Sequence, residues 1–200
     1  MADFWRAVRA TADGYRLPRL HGQARAVEVW VEAAGMAPQI ADAVAEYGVT
    51  VHSSGGFDSL TVKHAAARRI AGRERRTIVL HVGDHDPSGL ALFESAAEDV
   101  SAFVAGMGGV APEFVRAAVT PAQIASYGLP GSPPKRTDRR GVWQEGDETV
   151  QAEALPPDVL ADEVRQAVVS RLDLGQLTRI VAEEERQRAQ LQVELERWSA

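Results

Sequence analysis

Two hundred residues with 45% hydrophobic content can bury one substantial core, so one main domain is expected. The absence of cysteine excludes a disulfide framework and a thiolate zinc site, and suits a reducing cytosol. The net charge of -6 speaks against a surface made throughout for nucleic acid, but the charge is uneven: residues 145–200 carry -7 and residues 1–144 carry +1.

The opening "MADFWRAVRA" lacks a signal peptide's apolar core. No stretch approaches the roughly 20 apolar residues that a bilayer crossing requires, so a soluble, cytoplasmic protein without a membrane partner is expected. Residues 1–26 are read as an N-terminal segment. "VEVWVE" (27–32) alternates Val and Trp with Glu and reads as a strand. "APQIADAVAEY" then places Ile40, Val44 and Tyr47 at helical spacing, with Pro38 in a first turn and Gly48 as a stop. "VTVH" reads as a second strand and "SSGGF" as a turn. "DSLTVKHAAARRIAG" follows as a helix with Asp58 or Ser59 as its cap.

"TIVLHV" (77–82) is a third strand, and "GDHDPSG" opens a helix through about Val104. After a break at "GMGG", "EFVRAAV" is a fourth strand. This succession predicts an α/β fold with a Rossmann-like, mainly parallel sheet of about four strands and helices on both faces. Residues 128–148 form a Pro, Gly and charge-rich loop. "TVQAEAL" reads as a further strand and "PPDVLADEVRQAVVSRL" as a helix, which takes the main domain to residues 27–170. Residues 171–200 are expected to be a C-terminal charged helix, with Glu184 four residues ahead of Arg188.

Asp84 and Asp86 stand one residue apart where the third strand ends. Alternate residues of a strand share a face, and the carboxyl edge of a parallel sheet is where open α/β folds bind ligands. Glu32 ends the first strand and would emerge at the same edge. Three carboxylates converging there suit a hard divalent cation such as Mg²⁺. The competing reading is a turn in which Asp86 or Ser88 caps the next helix. His81 and His85 raise zinc, but their spacing spans a strand and a loop rather than a helix face.

"VEVWVEAAG" followed by "IVLHVGDHDPSG" resembles the Toprim domain of type IA and type II topoisomerases, primases and OLD-type nucleases. It is most similar to the variant in topoisomerase VI A subunits and the meiotic double-strand-break protein. The pieces "SSGGFDSLT", "VTPAQI" and "EALPPDVL" extend the likeness over about residues 27–165. The resemblance maps the family's glutamate onto Glu32 and its Asp-x-Asp onto Asp84 and Asp86, as metal ligands and catalytic groups. It implies Mg²⁺, with Mn²⁺ as a substitute, and cleavage or nicking of a phosphodiester, with DNA as the partner. Glu32 would also serve as a general acid or base, and Glu153 is a candidate further carboxylate.

Two departures bear on this. Ala33 stands where relatives often carry a lysine, and only 26 residues precede the first strand, too few for the winged-helix domain that bears an attacking tyrosine. Tyr15, Tyr47 and Tyr127 are therefore not assigned a covalent role. Lys135, Arg136, Arg139 and Arg140 are candidates for contacts along a nucleic-acid backbone, since such contacts need positive charge and no sequence code. Asp138 in the same loop is read as uncertain in role, and Gly55 and Gly56 as a turn or a close backbone approach. Trp30 and Trp143 read as core residues or base-stacking groups. Three functions remain open: a stand-alone Mg²⁺-dependent nuclease, a non-catalytic nucleic-acid-binding or assembly module, and the metal-binding part of a topoisomerase-like complex whose tyrosine sits on a protein partner.

Overall fold

The computed structural model describes residues 2–53, 59–133 and 148–199. In chain order its elements are α1 (Ala2–Asp13), β1 (Ala26–Val31), α2 (Ala37–Val44), β2 (Thr50–Ser53), α3 (Leu60–Ala71), β3 (Thr77–Val82), α4 (Pro87–Gly106), β4 (Glu113–Ala118), α5 (Pro121–Tyr127), α6 (Pro157–Val169) and α7 (Leu174–Ser199). They fall into two compact units, residues 24–171 and residues 1–23 with 172–200.

The larger unit is an α/β layer structure whose four strands are all parallel, in the order β2-β1-β3-β4. Parallel neighbours need crossover helices, and those helices cover both faces of the sheet. Trp30 of β1 and Val79 of β3 pack against Ala66, Ala67 and Ile70 of α3 and Ala96, Val100 and Val104 of α4. The opposite face meets α6, which also packs on α2, and Ile40, Val44, Leu160, Val164 and Val168 are buried on those two helices. Every position of β1 and β3 is consequently buried.

"VEVWVE" forms the expected strand, and its glutamate at position 28 is buried with the rest. Glu28 is 0% exposed, on the same face as Trp30. Its carboxylate accepts hydrogen bonds from Arg69 (Nε, 2.9 Å; Nη2, 3.0 Å), Arg73 (2.6 Å) and the Trp30 indole (3.0 Å). Burial pushes the carboxyl up, but these donors and the charges of Arg69 and Arg73 outweigh it and hold Glu28 at about 2. Trp30 is likewise a core residue at 1% exposure and no base-stacking platform.

"TVQAEAL" does not form a strand. Thr149 and Val150 make isolated antiparallel bridges with Ser132 and His85, and Ala152–Ala154 is a single 3-10 turn. The Ala152 N–H, which a strand would give to a neighbouring carbonyl, is donated to Asp84 Oδ1 at 2.8 Å. The "VTPAQI" piece starts α5 with a capping box, in which Thr120 and Gln123 each satisfy the other's backbone N–H.

In the smaller unit, residues 14–23 lie along α7 and are tied to it by the buried Glu184. Its carboxylate accepts from the Leu17 N–H at 2.8 Å and pairs with Arg19 and Arg188. The Arg19 hydrogen bond is the main reason that its carboxyl is held at about 2. Gln23 and Asp173 exchange two further hydrogen bonds of 2.8 Å, and the Tyr15 hydroxyl donates to Gln187, a structural use of that tyrosine. No helix among the described residues is long and apolar enough to cross a membrane.

Candidate metal centre

The ends of β1 and β3 are held side by side by the ladder that precedes them. Val31 is opposite Val82, and the Glu32 N–H continues the pattern to the Val82 carbonyl at 2.8 Å. Past β3, Gly83 exchanges hydrogen bonds of 2.8 Å with Ala118 and Val119 at the end of β4. The chain then turns through His85, whose N–H reaches the Val150 carbonyl at 2.8 Å, and enters α4 at Pro87.

Within that turn the three predicted carboxylates take distinct positions. Glu32 Oε2 accepts from the Asp84 N–H at 3.2 Å. Asp84 Oδ1 accepts from Ala152 N–H. Asp86 has an extended backbone and caps α4, with Oδ1 accepting from the Gly89 N–H at 2.6 Å. The helix-cap reading of Asp86 is therefore correct as local structure, and it leaves the second carboxylate oxygen for other chemistry.

Two glycines make room for the Glu32 carboxylate. A Cβ at Gly83 would fall on Glu32 Oε2 and 2.6 Å from His81 Cε1, and a Cβ at Gly89 would lie 2.7 Å from the Asp84 carbonyl and 3.3 Å from Glu32 Oε2. Any side chain at position 83 would displace the glutamate. The glycines of "GDHDPSG" are thus explained by close approach, beyond any role in the turn.

Electrostatically the site carries an excess of negative charge in a half-buried setting. Burial pushes the Glu32 carboxyl up, and the charges of Asp84 and Asp86 add to the effect against the Asp84 N–H and Arg116. Burial also raises Asp84, opposed by the Ala152 N–H and Arg116 but reinforced by Glu153 and Asp86. Glu153 is thereby close enough to act on the site, and it lines a cleft of about 470 Å³ together with Asp86, Ser132, Thr149 and Gln151. His81 is buried against the Phe93 ring, with centroids 4.9 Å apart. Burial above all, and the Arg116 charge, push its imidazole down to about 3, so it is neutral.

Among the described residues no three carboxylate or imidazole groups stand close enough together to hold a metal ion unaided. The available donors are carboxylate oxygens, the type that hard cations take. Each of Glu32, Asp84 and Asp86 commits one oxygen to a backbone N–H and has a second. Mg²⁺ usually takes one or two carboxylates and completes its shell with waters and substrate phosphates. The set fits that mode and does not fit an all-protein cage.

Lys135, Arg136, Arg139 and Arg140 lie outside the described residues, as do Asp138, Trp143, Gly55 and Gly56. Arg116 was not singled out by the sequence reading: it stands in β4 opposite His81, and only the strand order and register place it beside the carboxylates. Compared with protein-family models, with curated proteins and with solved structures, the chain gives no significant match.

Proposed function

We propose that the chain is a Toprim-type domain that nicks or cleaves nucleic acid, DNA foremost, in a reaction dependent on Mg²⁺, with Mn²⁺ as a substitute. The observation that carries this reading is the meeting of Glu32 and Asp84 at the carboxyl edge of the parallel sheet, both carboxyls raised by burial and by their neighbours' charge. Like charges kept together at a cost to the fold are a common mark of a functional site, and a bound cation would relieve their repulsion. Glu32 and Asp84 would hold the ion directly, and Asp86 through its remaining oxygen or a water. When bound, the cation would stabilise charge developing on the phosphodiester and ease ionisation of an attacking water. Lys135, Arg136, Arg139 and Arg140 are proposed to follow the backbone of the polymer.

A specific observation favours the alternative of a non-catalytic binding or assembly module. Each carboxylate already has a local task, Asp86 in capping α4 and Asp84 in holding Ala152. Mn²⁺ titration and DNA affinity, measured in parallel, separate the two. The Asp84→Ala/Asp86→Ala variant is expected to lose Mn²⁺ binding while its DNA affinity changes less than about threefold, because phosphate contacts come from the cations elsewhere. Unchanged Mn²⁺ binding in that variant would overturn the cation site.

A further inference from the structure

Arg116 leaves β4 where the pairing with β3 becomes irregular: His81 is opposite Arg116, but Val82 is opposite Ala118, so one extra residue lies on the β4 side. Such a bulge re-aims the side chains around it. The guanidinium turns to the end of β3, where Nη2 donates to the Gly83 carbonyl at 2.8 Å and also to the Asp84 carbonyl. Nε reaches the Val119 carbonyl at 3.4 Å, and the group lies over the Phe93 ring, 5.9 Å from its centroid. Its charge acts on Glu32, Asp84 and Asp86 alike.

We propose that Arg116 is the positioning residue of the carboxylate site, acting by clamping the two carbonyls of Gly83 and Asp84. This rests on the cation reading above. The clamp fixes the peptide planes on either side of the Asp84 Cα. The Asp84 side chain projects from that Cα, and the Asp84 N–H orients Glu32. A planar, multi-donor guanidinium can reach two carbonyls and a third acceptor while its face lies on an aromatic ring. A lysine ammonium has donors for the two carbonyls, but it lacks both the Nε contact to Val119 and the flat face on Phe93 that hold Nη2 in place.

Positioning by Arg116 and a simple effect of its charge act on cation binding with opposite signs. A fixed positive charge beside a divalent-cation site repels the ion, so a residue acting by charge alone would tighten binding when removed. A positioning residue weakens binding when removed. Mn²⁺ affinity, followed by the loss of the free-ion paramagnetic resonance signal, is measured for wild type, Arg116→Gln and Arg116→Lys, with melting curves to establish that each is folded. Both variants are expected to bind Mn²⁺ about tenfold or more weakly, the size usual for groups that orient metal ligands, and lysine does not rescue despite its charge. Binding by Arg116→Gln as tight as wild type or tighter, or full rescue by Arg116→Lys, would overturn the proposal while leaving the cation site standing. Wild type that binds no Mn²⁺ would overturn the cation reading and this inference with it.

Discussion

Glu28→Gln is expected to lower stability at neutral pH by about 3 kcal/mol. The amide keeps the shape of a protonated glutamic acid, so the loss equals what the ionised carboxylate gains from its partners in the fold. The carboxyl stands at about 2 against an ordinary 4.5 because the hydrogen bonds of Arg69 and Trp30 and the charges of Arg69 and Arg73 overcome the opposing effect of burial. A depressed carboxyl contributes stability above its unfolded value and loses it as pH falls toward the folded one. The difference between wild type and variant in urea unfolding should therefore be full at pH 7 and shrink as pH falls from 4.5 toward 2. A difference that does not change between pH 7 and pH 3 would mean that the pairing is not its source. Arg69 and Arg73 are partly exposed, which limits the damage because their charges reach water when Glu28 is neutralised.

Glu32→Gln is expected to move activity and stability in opposite directions. The amide oxygen still accepts the Asp84 N–H, so the turn is retained. The charge is gone, and a nucleic-acid cleavage rate that depends on it should fall by about 10²–10³, as for other single groups that stabilise developing charge. The folded carboxyl is raised, so its ionisation opposes folding, and that cost grows as pH rises through the raised value. Removing it should give a higher Tm than wild type at pH 7 in the absence of divalent cation. The gain should vanish below the ordinary carboxylate range, where both forms are neutral. A Tm that falls at pH 7 would show that the carboxylate serves the fold rather than a site.

The elements whose signals are local were legible in the chain. "TIVLHV" is the strand Thr77–Val82 residue for residue, and Asp86 followed by Pro87 marks the start of α4. The burial of Glu28 was not legible locally: the arginines that make it tolerable come from α3 and the turn after it, 41 and 45 residues further along the chain. "TVQAEAL" has a strand's composition, but its segment spends the Ala152 N–H on a carboxylate 68 residues away. Glu32, Asp84 and Asp86 could be singled out from the sequence because Glu32 ends one predicted strand and the two aspartates follow closely on another. Arg116 sits inside one, where nothing but the bulge and the strand order directs it to the site.

Glu32, Asp84 and Asp86 are proposed to support divalent-cation-dependent cleavage. The most direct test is the conversion of supercoiled plasmid in Mg²⁺ and in Mn²⁺ by wild type and by Asp84→Ala/Asp86→Ala protein prepared in the same way. Nicked or linear product that requires the cation and arises with the wild type alone is the predicted result. Relaxed closed circles would instead point to topoisomerase-like chemistry. No conversion in either cation, or equal conversion by the double variant, would contradict the account.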